Sequence, residues 1–203
     1  MAIRRKPRLI RQQKTYDNIV DVAERLLIEN GRGAFSLRKV AAAASYSPAG
    51  LYEYFASKDA LINAVRKTIR VRLSDALKNA RHCDNPIHDV CNAYVRFAVD
   101  NPSAFLLVFG EVGEQDSESQ SPATLFVNLL TQLYPTVSSR LLANEAYTLW
   151  SAIHGVAMLN ITEFRATPAD AVTQKMIQRL VKRTVNEIAA HDQNSISFGQ
   201  ITT

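Results

Sequence analysis

Residues 36–61, SLRKVAAAASYSPAGLYEYFASKDAL, hold two short helical patterns separated by a tight turn, then the start of a third helix. Ser36 stands where a cap is needed, and Leu37, Val40, Ala41 and Ala44 give the first helix an apolar stripe at helical spacing. Ala44-Ser45-Tyr46 is the turn. Ser47 then caps a second helix whose first residue is Pro48, the position where a missing N–H costs nothing. Leu51 and Phe55, four residues apart, share a face that can pack on the first helix, while Tyr52 and Tyr54 point elsewhere. Ser57 caps the third helix, with Lys58 and Asp59 in its first turn. The arrangement is a helix-turn-helix, in which the second helix enters the DNA major groove by its N-terminal end.

The distribution of charge agrees with that reading. Residues 1–60 hold 11 Lys and Arg against 6 Asp and Glu, whereas residues 61–203 hold 13 of each. The whole formal charge of +5 therefore sits in the segment where phosphate binding needs it. Residues 1–14 carry Arg4, Arg5, Lys6, Arg8, Arg11 and Lys14 without an acid, which predicts a flexible basic arm. Such an arm can lie along phosphates or reach the minor groove, with Arg4 and Arg5 as its DNA-contacting residues.

With 203 residues the chain can bury a large core. Its 47% apolar and 8% aromatic residues with only 7 glycines suit a helical protein. No apolar run approaches the ~18–20 residues of a membrane span, and the basic start leads into no signal-peptide core, so a cytoplasmic location is expected. Cys83 and Cys91 lack metal-ligand spacing and read as free thiols; neither a metal nor a cofactor is expected. Nucleophile elbow, H-E-x-x-H, phosphate loop and C-x-x-C are all missing, so no enzymatic activity is expected.

Along the chain, Thr15 to Asn30 reads as a helix with Ile19, Val20, Ala23, Leu26 and Leu27 on one face, stopped by Gly31. From Ser57 to about Arg81 a long helix places Leu61, Val65, Ile69, Leu73 and Leu77 every four residues. Five of the seven prolines directly follow a capping residue: Ser47-Pro48, Asn85-Pro86, Asn101-Pro102, Ser121-Pro122 and Thr167-Pro168. They predict helices near 86–100, 102–109, 122–134 and 168–190, with a further one over 139–164. Residues 111–121 read as a mobile loop and 191–203 as a frayed polar tail. The fold class is all-α, about nine helices in two domains: a DNA-binding domain over 1–60 and a helical domain over 61–190.

At residues 51–61 the chain resembles the N-terminal domain of TetR-family transcriptional regulators. Leu51, Tyr52, Tyr54, Phe55, Lys58 and Leu61 match that family's L-Y-x-[YH]-F-x-x-K-x-x-L signature, and the match runs back through Ile19, Ala23, Leu27 and Gly31. The family usually has Gly in the turn, where this chain has Ser45; a left-handed Ser there costs roughly 1 kcal/mol. Trp150, His154 and Gly155 form a W-x-x-x-H-G element similar to a C-terminal domain type of these regulators, as does YVRFAVDNPSAFLLVF before it.

The resemblance implies a homodimeric regulator, most simply a repressor, that binds a near-palindromic operator on double-stranded DNA and is released by a small-molecule effector. It implies dimerisation through the last two helices. Within the recognition helix, Ser47, Pro48, Ala49 and Gly50 are small enough for the backbone to approach base edges, and Tyr52 and Tyr54 reach phosphates or thymine methyls. Lys58 at a helix start suits a phosphate, and Arg38 resembles a position the family uses for bases or phosphates. The helix over 139–164 is apolar almost all round, so it should be buried on most sides, and a close helix crossing would explain Gly155. Tyr94, Phe105, Phe109, Phe126, Trp150 and His154 are either core or the lining of an effector pocket. A helical ligand carrier with a vestigial DNA-binding domain is the alternative function, separable by whether DNA binding is sequence-selective.

Overall fold

The computed structural model describes residues 5–81, 85–110, 121–163 and 170–199, with side chains over 9–81, 85–110, 121–163 and 170–191. Among them run nine helices and no strand: α1 (Arg5–Ala34), α2 (Leu37–Ala43), α3 (Pro48–Tyr52), α4 (Lys58–Ala80), α5 (Pro86–Asp100), α6 (Pro102–Phe109), α7 (Pro122–Leu133), α8 (Ser139–Thr162) and α9 (Asp170–Gly199). The all-α expectation holds. The 111–120 loop, Cys83, Phe164 and the Thr167-Pro168 start lie outside the described residues.

Most helices begin where a short polar side chain satisfies a free N–H. Ser36, Ser47, Ser57, Asn85, Ser121 and Ser138 accept from the backbone N–H of Lys39, Gly50, Ala60, His88, Ala123 and Leu141. Asn101 departs from its expected role. Its Nδ2 donates back to the Phe97 carbonyl, 3.1 Å away, so it closes α5 instead of capping α6 with its side chain. Gly110 follows α6 at a position where a Cβ would stand 2.7 Å from the Leu106 carbonyl oxygen, so glycine is the residue that fits.

The ends of the chain are more helical than expected. Residues 5–14, expected as a flexible arm, continue α1 without a break, and residues 191–199, expected as a frayed tail, continue α9. Once a helix is nucleated each further residue adds a hydrogen bond. Residues 9–14 are helix-formers such as Leu, Arg, Gln and Lys, and Pro7 falls in the first turn. Gln13 also reaches Asp17 one turn on, at 2.8 Å. Gly31, at φ 70 and ψ 170, interrupts helical geometry where a stop was expected.

The chain forms two compact units. One comprises residues 1–70 and 106–116, the other 71–105 and 117–203. In the first, Ile19, Ala23, Val40, Ala41, Leu51, Leu61 and Val65 are fully buried. Arg66, itself buried, donates from Nε to the Leu107 carbonyl at 2.9 Å, which satisfies an acceptor in the last turn of α6. In the second unit α8 packs against α5, α7 and α9. Leu142, Ala146, Leu149, Ile153, Val156, Ala157 and Ile161 face inward. Polar bonds fix where α9 begins: Thr173 Oγ1 donates to Asn160 Oδ1 at 3.0 Å, and Gln174 Nε2 to Asn92 Oδ1 at 2.9 Å.

A single protomer does not by itself supply the cover and the crossing expected for α8. Within the protomer the helix is covered on one side only, leaving Tyr147, Ser151, Gly155 and Leu159 exposed. Within the protomer Gly155 meets no other helix, since a Cβ there would meet nothing within 4 Å. The apolar character of α8 exceeds what a single chain buries.

The turn between α2 and α3 yields a stability prediction. Ser45 is left-handed at φ 58, and removing its Cβ relieves more strain than the unfolded glycine gains in freedom. Ser45→Gly should raise unfolding stability by up to about 1 kcal/mol, read as a higher urea midpoint by circular dichroism. A lower midpoint would show that the serine hydroxyl, not backbone strain, governs this turn.

Candidate nucleic-acid interface

Helix α3 is placed by three contacts. Leu51 is fully buried, beside Val40 and Ala41 of α2, which are fully buried as well. The turn closes through Tyr46 N–H to the Ala41 carbonyl and Ala44 N–H to the Val40 carbonyl, both 2.8 Å. Ser47 Oγ then accepts the Gly50 N–H at 3.0 Å. The chain leaves α3 into Phe55, whose ring lies 5.0 Å from that of Tyr16 on α1.

This packing turns one face of the motif outward. Arg38, Ser47, Pro48, Ala49 and Tyr52 are exposed, and Gly50 and Tyr54 are half-buried. An outward face of small residues flanked by a guanidinium and a phenol can offer donors to phosphate and base edges while letting the backbone come close. Arg5 lies in the first turn of α1, and Arg4 lies outside the described residues. Tyr54 differs from Tyr52 in having a partner, since its ring meets Tyr46 edge-on at 6.2 Å.

Tyr46 itself was read only as a turn residue, yet it shapes the recognition helix. Its hydroxyl donates to Thr15 Oγ1 at 3.4 Å, and its ring lies 3.3 Å from where a Cβ on Gly50 would stand. Gly50 is therefore small for an internal reason as well: a side chain would press on Tyr46 and on the Ser47 hydroxyl, 3.1 Å away. An aromatic residue immediately before a serine cap was the available signal.

Lys58 is more engaged than a surface phosphate contact requires. Its Nζ donates to the Arg32 carbonyl at 2.8 Å and stands 5.9 Å over the Phe35 ring. Arg32 in turn pairs with Asp59 at 3.0 Å, an exposed pair that contributes little. Lys58 thus closes the loop after Gly31 onto the start of α4.

In the second unit, five of the six pocket residues come together. Tyr94 Oη and His154 Nδ1 are 2.9 Å apart. The Tyr94 ring meets Phe105 and Phe126 edge-on at 5.6 and 6.4 Å, Phe105 stacks on His154 at 5.6 Å, and Trp150 leans on His154 at 5.9 Å. Phe109 closes α6 and belongs to the other unit. Burial pushes the Tyr94 phenol well above its usual range and holds His154 below its ordinary value. A groove of about 490 Å³ lies elsewhere, between the α7–α8 connection and His191, and shares no residue with the cluster. Among the described residues no group of three or more His, Cys, Asp and Glu is placed to hold a metal, and no helix is long and apolar enough to cross a membrane.

Known proteins share both halves of this architecture. The pattern described as bacterial regulatory proteins, tetR family, matches residues 19–65, and that of the tetracyclin repressor-like C-terminal domain matches residues 87–183. The nucleoid occlusion factor SlmA of Haemophilus influenzae is 30% identical over 86 residues, which is 40% of this chain and 39% of that protein. The chain thus matches well under half the length of that relative. A protein of unknown function from Rhodococcus sp. RHA1 superposes with a TM-score of 0.70 at 20% identity, covering 86% of this chain and 95% of that one. NalD, the secondary repressor of the MexAB-OprM multidrug efflux pump in Pseudomonas aeruginosa, gives 0.62 at 20% identity, covering 84% and 96%. At those identities the likeness is one of fold.

The tether made by Lys58 can be tested apart from any DNA. Lys58→Ala should lower unfolding stability by about 1 kcal/mol, the worth of a hydrogen bond from a charged group that stays half-exposed. Urea denaturation measures it. An unchanged midpoint would mean that the bond to the Arg32 carbonyl contributes nothing in solution.

Proposed function

The chain belongs to the tetR family of bacterial regulatory proteins, and on that premise we propose that it is a cytoplasmic repressor, released from its operator by a small molecule. It is a transcriptional regulator with a helix-turn-helix DNA-binding domain. In this reading residues 1–60 bind DNA and residues 61–190 sense the effector and dimerise. The observation that carries it is the outward face of α2 and α3, where Arg38, Ser47, Pro48, Ala49 and Tyr52 are exposed within the segment that holds all of the net charge. Arg38 and the start of α3 read bases, and Tyr52, Lys58 and the basic residues of α1 hold phosphates.

Dimerisation follows from the uncovered side of α8. Tyr147 is 52% and Leu159 39% exposed there, on either side of Ser151 and Gly155. A second copy docking by the same helix, with α9 beside it, removes that surface from water and makes a two-fold assembly. Two recognition helices about 34–36 Å apart then meet successive major grooves. Helix α4, one continuous segment from Lys58 to Ala80, belongs in part to each unit. It gives an effector bound in the second unit a mechanical route to the first. Linkage then requires that an effector weakening DNA binding tenfold bind tenfold more weakly to the DNA-bound protein, about 1.4 kcal/mol of coupling.

Two experiments test this reading. Selection of bound sequences from random DNA should return half-sites related by a dyad, spaced by about one helical turn. On the selected site Arg38→Ala should erode discrimination, while Lys58→Ala should weaken specific and random DNA alike and reduce the salt slope by about one. Sequences without a dyad, or binding with no sequence preference, would overturn it.

Gly155→Leu tests the interface. The protomer has room for the new side chain, so folding should persist while dimerisation weakens by about 1–3 kcal/mol from overpacking. Sedimentation equilibrium compares the dissociation constants. Equal values would place the interface elsewhere.

A further inference from the structure

The aromatic cluster of the second unit contains one buried donor that its neighbours leave unanswered. Trp150 Nε1 is closed off from solvent and has no hydrogen-bond partner. It lies near enough to the Tyr94 hydroxyl to draw that phenol's pKa down slightly against the larger upward push of burial, yet not in bonding geometry. The Tyr94 hydroxyl and His154 Nδ1, meanwhile, answer each other at 2.9 Å. Buried polar groups are nearly always paired, and an indole N–H can only donate. A lone one is therefore open to an acceptor beyond those that the described residues place in bonding geometry.

The surroundings define what kind of acceptor fits. Tyr94, Phe105 and Phe126 are fully buried and form a closed floor. Trp150 and His154, one turn apart on α8, are half-buried, so the cluster reaches the surface along that helix. The cluster is built of rings, and burial works against a charge on the His154 imidazole. The cluster therefore offers no charge to balance an anion or a cation, and an unbalanced charge is costly to desolvate. It offers aromatic faces and a single N–H.

We propose that this cluster is a recognition site for an uncharged aromatic molecule bearing a carbonyl oxygen, which accepts the Trp150 indole N–H while its ring packs along Trp150 and His154. The proposal deepens the regulator reading and rests on it for the site's role as the effector pocket. The binding chemistry can be tested independently of DNA.

Trp150 is the chain's single tryptophan, so its indole N–H gives one side-chain cross-peak in a proton–nitrogen correlation spectrum. The full chain is titrated with acetophenone and with α-methylstyrene, which replaces the carbonyl oxygen by a methylene of similar shape. Benzoate and benzylamine supply the charged comparisons. Acetophenone should move the indole proton downfield in a saturable way, and α-methylstyrene should bind roughly tenfold more weakly, the worth of one such hydrogen bond. Both charged probes should bind more weakly than the ketone. Trp150→Phe should reduce acetophenone affinity by a similar factor, read by calorimetry; the comparison of probes on the unaltered protein holds even if that variant folds poorly. An indole resonance unmoved across acetophenone's soluble range, or equal affinity for the ketone and its methylene isostere, would overturn the proposal. Selective DNA binding measured on the same samples separates the two failures. Its persistence with a silent indole removes only this site, whereas its loss removes the regulator reading and leaves the indole result standing.

Discussion

The recognition helix cannot stand by itself. Five residues, Pro48–Tyr52, lie far below the ~12–15 at which an isolated helix becomes even marginal in water. What holds α3 is the complete burial of Leu51, together with a serine cap at one end and the Phe55 contact with Tyr16 at the other. The outward surface proposed to meet DNA is thus a by-product of packing on its opposite side. Every outward residue, from Ser47 to Tyr52, takes its position from Leu51. The long α1 and α4 contribute the rest of that core through Ile19, Ala23, Leu61 and Val65.

A different economy governs the second unit. Helix α8 is its centre, with α5, α7 and α9 around one side. The inner side of α8 is aliphatic, while the outer side mixes Tyr147 and Leu159 with Ser151 and Gly155. Small residues on an exposed helix face have no use in a lone protomer. They suit a second helix approaching closely. Among the described residues the buried polar groups of this unit include Thr173 and Thr184 and the Tyr94 hydroxyl beside His154. A low dielectric makes each unanswered group there costly and each answered one specific.

Two residues have structural duties beside the recognition roles proposed for them. Gly50 sits where a base edge would come close, yet its first duty is to leave room for Tyr46 and for the hydroxyl of Ser47. Lys58 carries a charge at a helix start, yet it also ties down the loop after Gly31. A substitution at either position therefore disturbs a structural contact as well as the proposed binding face. Only a stability measurement beside a binding measurement separates the two.

Much of the local chemistry was legible in the sequence, though not the role of Asn101, Tyr46 or Lys58. Serine and asparagine before proline marked helix starts, because a free N–H must find an acceptor within a few residues. Apolar spacing identified the inward faces of α1 and α4, because a helix repeats every 3.6 residues whatever it packs against. The helix-turn-helix was readable for the same reasons, whereas the left-handed backbone of Ser45 came from the structure. Tertiary structure alone decided the rest. Spacing shows that Trp150 and His154 share a side of α8, but not that Tyr94, sixty residues before His154, supplies the hydroxyl beside its imidazole. Nor could it show that Gly155 faces open space, because an all-round apolar helix reads the same whether its cover comes from its own chain or from another. Such facts depend on which surfaces meet across long stretches of sequence, and no local pattern encodes that meeting.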